Sequence, residues 1–125
     1  MSLRVLVVDD SPAMRSLLKK ILGQSGLPIE TILDASDGVE GLVRLREHPI
    51  NLILSDINMP NMDGEEFIRQ VKADKAFRDI PVLMITTDNS TARVLRLRQL
   101  GAQGYICKPF TPEMVKEKVL GLMSA

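Results

Sequence analysis

Acidic side chains follow two short apolar runs of this sequence. Asp9 and Asp10 come directly after the run 4–8, and Asp56 follows the run 52–55. Two unit charges about 4 Å apart repel by about 4 kcal/mol at an effective dielectric near 20, so a cluster of three carboxylates holds either protons or a cation. Carboxylate oxygens around a small site favour Mg²⁺, with waters completing its octahedron, and no loop has the spacing of a Ca²⁺-binding EF-hand.

A lysine and two hydroxyls end two further apolar runs. Thr86 and Thr87 close the run that begins at Val82, and Lys108 follows the run 104–107. Ammonium and hydroxyl donors suit phosphoryl oxygens. A cation, a carboxylate nucleophile and a lysine form the minimum apparatus for moving a phosphoryl group, because positioning and charge neutralisation supply most of that catalysis. An aspartate after a strand is often only a helix cap, so it is the combination that indicates this chemistry.

The elements that must position these residues are predicted from periodicity. Five short aliphatic or β-branched runs alternate with five stretches of helical periodicity, which predicts a βα unit repeated five times. The runs are mostly continuous rather than alternating, as expected of a parallel sheet covered on both faces. The predicted strands span residues 4–8, 31–35, 52–55, 82–86 and 104–107. A ligand site in such a sheet lies beyond the carboxyl ends of the strands, where these polar residues would meet.

The predicted helices differ in how clearly the sequence marks them. Ser11 and Pro12 predict the start of the first helix, which is predicted to end near Gly23. Thr111 opens the last helix in a similar way. The fourth helix, about residues 91–100, lacks a single narrow apolar stripe, so we expect it to be the most mobile of the five.

Length and composition limit the classes of function. The 125 residues fit one domain over 1–125. Sixteen basic residues balance sixteen acidic ones, which argues against direct nucleic-acid binding. No apolar run approaches the roughly 20 residues that span a bilayer, so no membrane insertion is expected. The single cysteine, Cys107, and the lack of a signal-peptide pattern favour the reducing cytoplasm.

At the residues named above, the chain resembles the CheY-like receivers, the phosphorylated switch domains of two-component signalling. The resemblance covers essentially the whole chain and is specific because several motifs occur together. Those motifs are VVDD at 7–10, DGV at 37–39, SD at 55–56, Asn58 with MPNMDG at 59–64, VLMIT at 82–86, GY at 104–105 and KPFT at 108–111. The resemblance implies an α/β, flavodoxin-like (βα)5 fold with a doubly wound parallel five-stranded sheet of order 2-1-3-4-5.

The resemblance also implies roles for the acidic residues. Asp56 would be the phospho-acceptor and would attack a phosphohistidine on a partner kinase. Asp10 and Asp56 would bind Mg²⁺ through carboxylate oxygens, and the backbone carbonyl of Asn58 would add a ligand. Asp9 would act on the metal largely through bound water.

Further implied roles belong to residues at the ends of the fourth and fifth strands. Lys108 would pair with one phosphoryl oxygen and Thr86 would donate a hydrogen bond to another. The Lys108–Pro109 peptide would be cis, as is typical of the family. Thr86 and Tyr105 would form the switch, because movement of Thr86 toward the phosphoryl group frees space for Tyr105 to turn inward. That rotation would remodel the face made by the fourth helix, the fifth strand and the fifth helix.

Partners are implied by the same resemblance. The phosphoryl donor would be a sensor histidine kinase or a phosphotransfer protein, and a downstream target protein would bind the remodelled face of a monomer. A stand-alone chemotaxis or signalling adaptor is the preferred interpretation. The alternatives are a phosphorelay intermediate and a receiver cut from a longer regulator with an output domain.

Some positions depart from the family pattern. Ser11 and Ile57 stand where CheY carries aromatic residues, and Thr87 stands where a small residue is common, which would narrow access to the phosphoryl site. Asn58 matches CheY, and Asp88 is a shortened version of its acidic residue. These two positions predict modest to fast autodephosphorylation.

Basic residues crowd the fourth predicted helix. Arg93, Arg96 and Arg98 have no acidic residue near them between positions 91 and 103. This pattern favours an ordinary solvated face over the alternative, a docking patch for an acidic partner segment.

Two other classes of protein share parts of this pattern. A Mg²⁺-dependent aspartyl-phosphate phosphatase would use the same carboxylate and metal, but such an enzyme needs a second catalytic aspartate two positions after Asp56, where this chain has Asn58. A flavin-binding module would need aromatic residues around the ring, and the chain has no Trp, one Tyr and three Phe. A purely interacting module of the same fold is a further alternative. We therefore expect a phospho-accepting switch with self-catalysed phosphorylation and autodephosphorylation, not an enzyme for external substrates.

Overall fold

A computed structural model gives the fold for residues 2–123. In this part of the chain five parallel strands alternate with five helices. The strands are β1 (Leu3–Val8), β2 (Ile29–Ala35), β3 (Leu52–Asp56), β4 (Val82–Thr86) and β5 (Gly104–Cys107). The helices are α1 (Pro12–Gln24), α2 (Gly38–Glu47), α3 (Gly64–Ala73), α4 (Thr91–Gln99) and α5 (Pro112–Met123). The strand order is β2-β1-β3-β4-β5, which confirms the predicted doubly wound sheet.

Three strand boundaries differ from the prediction. β1 begins at Leu3 rather than at residue 4. β2 begins at Ile29 rather than at residue 31, because Ile29 pairs with Leu3 before the register shifts at the next position of β1. β3 extends through Asp56, whose backbone pairs with Ile85 of β4. The expected phospho-acceptor therefore occupies the last position of the central strand, where the sheet fixes its backbone.

Apolar side chains cover both faces of the sheet. β1 alternates between them, with Val5 and Val7 packed in the layer of α1 and α5, and Leu6 and Val8 in the layer of α2, α3 and α4. All four side chains are buried. Because burial of one aliphatic side chain stabilises the fold by roughly 1.5–3 kcal/mol, the two layers hold the strand ends in fixed positions.

Polar caps start the helices at the carboxyl edge of the sheet. Ser11, Asp37, Asp63 and Ser90 each accept a hydrogen bond from a backbone N–H in the first turn of α1, α2, α3 and α4. Thr111 does the same for α5. The predicted caps at Ser11 and Thr111 are thus confirmed. One such cap contributes about 1 kcal/mol, and together the caps fix the loops that surround the strand ends.

The fourth helix is one residue shorter than predicted and has little buried surface. It ends at Gln99, and Leu97 is its one buried side chain. Its expected mobility stays a prediction. Within residues 2–123 no helix has both the length and the apolar character needed to cross a membrane.

Candidate functional site

Three carboxylates meet at the carboxyl edge of the sheet, as the sequence predicted. Asp9 and Asp10 follow β1, and Asp56 ends β3, the strand that pairs with β1. One carboxylate oxygen from each of the three lies within 4.8 Å of the others. Asp9 and Asp56 are buried, whereas Asp10 is exposed. The cluster is therefore open to solvent on the side of Asp10.

The Asp9 side chain is incompletely satisfied. Its Oδ1 accepts a hydrogen bond of 2.8 Å from the Ser11 N–H, while its Oδ2 is buried without a partner among residues 2–123. Burial raises the pKa of Asp9, and the charge of Asp56 and, to a smaller extent, Asp10 adds to the increase. A buried carboxylate oxygen without a donor, beside two further carboxylates, suits a hard divalent cation. The donor set therefore fits Mg²⁺.

Asp56 lies between a backbone donor and a lysine. Its Oδ1 accepts a hydrogen bond of 2.8 Å from the Ile57 N–H, and the Lys108 Nζ is 3.6 Å from the same oxygen. Lys108 reaches the site because its N–H donates to the Thr86 carbonyl oxygen over 2.7 Å, which joins the ends of β4 and β5. The Lys108–Pro109 peptide is cis, as the resemblance implied.

The Thr86 hydroxyl is bonded to the loop after β4. Its Oγ1 accepts a hydrogen bond of 2.9 Å from the Asp88 N–H and donates one of 3.2 Å to the Asp88 carbonyl oxygen. Thr86 is buried at the end of β4, while Thr87 is exposed. Both hydrogen-bonding functions of this hydroxyl are therefore occupied by the backbone of Asp88.

A cleft beside the site contains Thr87, the residue that departs from the family pattern. The cleft has a volume of about 410 Å³ and is lined by Met14, Leu17, Thr87, Lys108, Pro109 and Phe110. The lysine that approaches Asp56 thus also faces this mainly apolar recess. The expected narrowing of access by Thr87 stays a prediction.

The loop from β3 to α3 is held against two neighbours. The Gly64 N–H donates to the Ile57 carbonyl oxygen over 2.7 Å, and a Cβ at Gly64 would lie 2.2 Å from the Asp56 carbonyl oxygen, so only glycine fits there. Asn61 has φ 65° and its amide donates to Oδ2 of Asp37 over 2.7 Å. These contacts fix the loop that carries Asn58, whose carbonyl is the expected fourth ligand.

Tyr105 lies on β5 beside β4. It is half-buried, pairs in register with Met84 of β4 and packs against the layer formed by α2, α3 and α4. The Lys118 ammonium of α5 is 5.4 Å from the centre of its ring, within the range of a cation–π contact. The residue thus contacts the face that the resemblance assigned to target binding.

Two arginines of α4 form ion pairs with acidic residues outside the helix. Arg93 forms an ion pair with Glu65 of α3, and the Arg96 Nε is 3.2 Å from the same carboxylate. The Arg93 Nε is also 3.6 Å from Oδ2 of Asp88. Arg96 and Arg98 are exposed, as expected of an ordinary solvated face, whereas Arg93 is half-buried between Glu65 and Asp88. α4 itself contains no acidic residue, so the partners come from α3, which supplies Glu65, and from the loop before α4, which supplies Asp88.

Asp34 and Arg15 lie near the site, although the sequence did not predict them as part of the site. Asp34 of β2 binds Arg15 and lies 3.4 Å from the Lys19 ammonium. Arg15 in turn donates to the carbonyl oxygen of Asp9. The spacing of Arg15 and Lys19 by four residues predicts that they share one face of α1, but their partner on β2 follows from the tertiary fold alone.

The fold and the site together define a class of protein. The family model of the response regulator receiver domain matches residues 5–120. The chain therefore belongs to the response regulator receiver family, the CheY-like class, in which acceptance of a phosphoryl group is the general function.

Particular relatives are chemotaxis proteins. The chain is 40% identical over 118 residues to chemotaxis protein CheY1 of Helicobacter pylori, covering 94% of each chain. It is 38% identical to the chemotaxis protein CheY homolog of Campylobacter jejuni, covering 94% of this chain and 89% of the relative. The solved structure of the chemotaxis response regulator CheY4 of Vibrio cholerae matches with a TM-score of 0.85 and 34% identity, covering 98% of both chains. The predicted family and fold are thus confirmed.

Proposed function

We propose that this chain accepts a phosphoryl group on Asp56 from the phosphohistidine of a sensor kinase, in a reaction that depends on Mg²⁺. One observation carries this proposal. The Asp56 carboxylate shares a cluster with Asp9 and Asp10, and it lies 3.6 Å from the Lys108 ammonium. A nucleophilic carboxylate, a cation site and a fixed ammonium are thus placed together.

The transfer is an in-line displacement at phosphorus. An oxygen of the Asp56 carboxylate forms a bond to phosphorus while the bond from phosphorus to the donor's imidazole nitrogen breaks. The electron pair of that bond returns to the imidazole, and Asp56 becomes an acyl phosphate. Positioning and charge neutralisation supply most of the rate of such a transfer.

Four groups would hold the metal. We assign it to the carboxylates of Asp10 and Asp56, the backbone carbonyl of Asn58, and Asp9 acting largely through water. The buried Oδ2 of Asp9, which has no donor among the described residues, supports this assignment. When bound, Mg²⁺ would neutralise charge on the carboxylates and on the phosphoryl oxygens.

Lys108 and Thr86 complete the phosphoryl site in this proposal. Lys108 would keep its charge near Asp56 and pair with a phosphoryl oxygen that now occupies the position next to it. Thr86 would exchange its hydrogen bonds to Asp88 for one to a second phosphoryl oxygen. A hydrogen bond to a charged group contributes roughly 1.5–3 kcal/mol, enough to shift a two-state equilibrium about ten- to a hundredfold.

The output would be a change at the face of α4, β5 and α5. Loss of the Thr86–Asp88 bonds would release the start of α4, and Tyr105 would turn into the space that Thr86 leaves. We propose that a target protein binds this face and that the chain acts as a cytoplasmic monomer. The relatives named as chemotaxis proteins support a stand-alone adaptor in a chemotaxis pathway.

Intact mass after incubation with acetyl phosphate tests the proposal. We expect one phosphoryl group on the wild type in Mg²⁺, none in EDTA and none on Asp56→Asn. Asp63→Asn is a matched control, because Asp63 caps α3 near the site but lies outside the carboxylate cluster. An adduct that persists in Asp56→Asn would reject Asp56 as the acceptor. The absence of any adduct, after rapid quenching and with beryllofluoride as a stable mimic, would reject the function itself.

A further inference from the structure

An arginine of α1 holds the backbone that leads into the acidic cluster. The Arg15 Nη1 donates to the Asp9 carbonyl oxygen over 2.8 Å, and its Nε donates to Oδ2 of Asp34 over 3.0 Å. Asp34 lies one position before the end of β2. One guanidinium thus ties together the end of β1, the first turn of α1 and the end of β2.

We propose that Arg15 is a positioning residue for Mg²⁺ binding, acting through the Asp9 carbonyl, an inference that rests on the proposed function. The Asp9 carbonyl belongs to the peptide that leads into Asp10. A hydrogen bond to this oxygen therefore fixes the orientation of the backbone from which the Asp10 carboxylate projects.

Asp10 depends on this backbone support more than its neighbours do. Asp9 is held by the Ser11 N–H and Asp56 by the Ile57 N–H. The carboxylate of Asp10 is exposed and accepts no hydrogen bond from any other residue of the 2–123 region. Its position before the metal binds follows from the backbone alone, and a loosened backbone would require Mg²⁺ to order it.

The anchor of Arg15 is charged at neutral pH. Burial raises the pKa of Asp34, but the Arg15 hydrogen bond and the nearby Lys19 ammonium together bring it below its usual range. The side chains are partly buried, at 19% exposure for Arg15 and 32% for Asp34. A planar guanidinium donates from fixed directions, so it can hold a carboxylate and a carbonyl at once with little freedom.

The sign of the effect separates positioning from electrostatics. Removing a positive charge near a cation site strengthens cation binding if only long-range Coulomb forces act. Removing a group that orders a ligand weakens cation binding, and loss of a residue that orients metal ligands typically lowers affinity about 10- to 100-fold. Arg15→Met is therefore expected to weaken Mg²⁺ binding by about tenfold, against the Coulomb expectation.

The experiment titrates MgCl₂ into the unphosphorylated protein by isothermal titration calorimetry. Arg15→Met keeps the aliphatic stem and removes the donors. Arg15→Lys keeps the charge without the planar fork, and we expect its Mg²⁺ affinity to lie closer to that of Arg15→Met than to the wild type. Asp34→Ala is expected to weaken binding in the same direction, and the double variant with Arg15→Met is expected to be less than additive.

Two matched controls use other basic residues that contact Asp34. Lys19→Met removes a positive charge beside Asp34 on the same helix but no contact with Asp9, so its Mg²⁺ affinity should be unchanged or slightly tighter. Arg44→Met removes a donor to the Asp34 carbonyl oxygen from α2, and it should also leave the affinity unchanged. Equal weakening in Arg15→Met and Lys19→Met would overturn the proposal.

Hydrogen exchange without metal tests the backbone support by Arg15 independently of Mg²⁺ binding. In EDTA, amide hydrogen exchange at Ser11, whose N–H donates to Asp9, is expected to be faster in Arg15→Met than in the wild type. If the wild type binds Mg²⁺, two results would overturn the positioning role. One is unchanged exchange at Ser11 in Arg15→Met, and the other is Mg²⁺ binding by Arg15→Met that is unchanged or tighter. If the wild type itself binds no Mg²⁺, the proposed function fails together with this inference. Phosphorylation by acetyl phosphate needs no kinase, so it separates a positioning role of Arg15 from a role in kinase docking. We expect Arg15→Met to be phosphorylated more slowly than the wild type at low Mg²⁺ and at the wild-type rate at saturating Mg²⁺.

Discussion

At the scale of single residues, the chemistry of the site depends on charges that the fold holds close together. Three carboxylates with oxygens within 4.8 Å oppose one another, and Lys108 offsets part of that charge from one side. The raised pKa of Asp9 is the direct result of its burial and of the neighbouring acids. We therefore expect the charged Asp9 carboxylate to destabilise the folded state when no cation is bound.

This conclusion predicts that Asp9→Asn stabilises the metal-free protein. A carboxyl group whose pKa is raised by folding contributes stability below its ordinary pKa, and this contribution is lost as pH rises through the folded value. In EDTA the variant should thus resemble the wild type below about pH 4 and exceed it at pH 7, by about 1 kcal/mol or more given the charge repulsion involved. Urea unfolding at both pH values measures the difference.

Mg²⁺ provides the control for that prediction. The metal should stabilise the wild type, because a ligand that binds only the folded state raises the free energy of unfolding. The same addition should stabilise Asp9→Asn less. A variant that is less stable than the wild type in EDTA at pH 7 would contradict the proposed electrostatic conflict.

At the scale of elements, α4 is connected to the site through the loop that precedes it and through α3. Thr86 bonds the loop before α4 through Asp88, and Arg93 links that loop to Glu65 at the start of α3. Glu65 directly follows Gly64, whose backbone lies against that of Asp56. A helix with a single buried side chain is therefore held in position partly by ion pairs.

Glu65→Gln is expected to loosen α4 without unfolding the protein. It removes the acid shared by Arg93 and Arg96, and partly exposed pairs of this kind contribute only about 0.2–1 kcal/mol each. Amide hydrogen exchange in the first turn of α4 should become a few times faster than in the wild type. The difference between the two proteins should shrink at high salt, because screening weakens the ion pairs of the wild type.

Glu66→Gln is the matched control for this change. Glu66 is the next residue on α3, but its partners, Arg69 and Gln70, lie within the same helix. Its substitution should leave exchange in α4 unchanged. Faster exchange in both variants, or in neither, would show that the contacts between α3 and α4 do not restrain the helix.

At the scale of the whole molecule, local sequence patterns and general rules of topology predicted a parallel sheet and its acidic cluster, whereas the strand order came from the family resemblance. Continuous apolar runs identified the strands, and the rule that ligands bind beyond their carboxyl ends brought Asp9 and Asp56 together although they are far apart in sequence. The ion pair of Arg93 with Glu65 joins residues 28 positions apart, and that of Arg15 with Asp34 joins residues 19 apart. Such pairs depend on how two elements pack, which no local pattern records.

Communication between the phosphoryl site and β5 can be followed by fluorescence, because β5 carries Tyr105. Tyr105 is the one tyrosine of a chain without tryptophan, so intrinsic fluorescence reports on that side chain alone. Beryllofluoride with Mg²⁺, a mimic of the acyl phosphate, should change Tyr105 emission in the wild type. Thr86→Val keeps the shape of the buried side chain but lacks the hydroxyl, so its Tyr105 emission should respond several times less.

The same variants separate coupling from metal binding. Thr86→Ser restores the hydroxyl and should restore most of the fluorescence response, while stabilisation by Mg²⁺ alone should be similar in all three proteins because Thr86 is not among the proposed ligands. A full Tyr105 response in Thr86→Val would mean that the phosphoryl site reaches the face of α4, β5 and α5 by another route. The contacts of Asp88 with Arg93 would then be the connection to examine, since they reach α4 without the Thr86 hydroxyl.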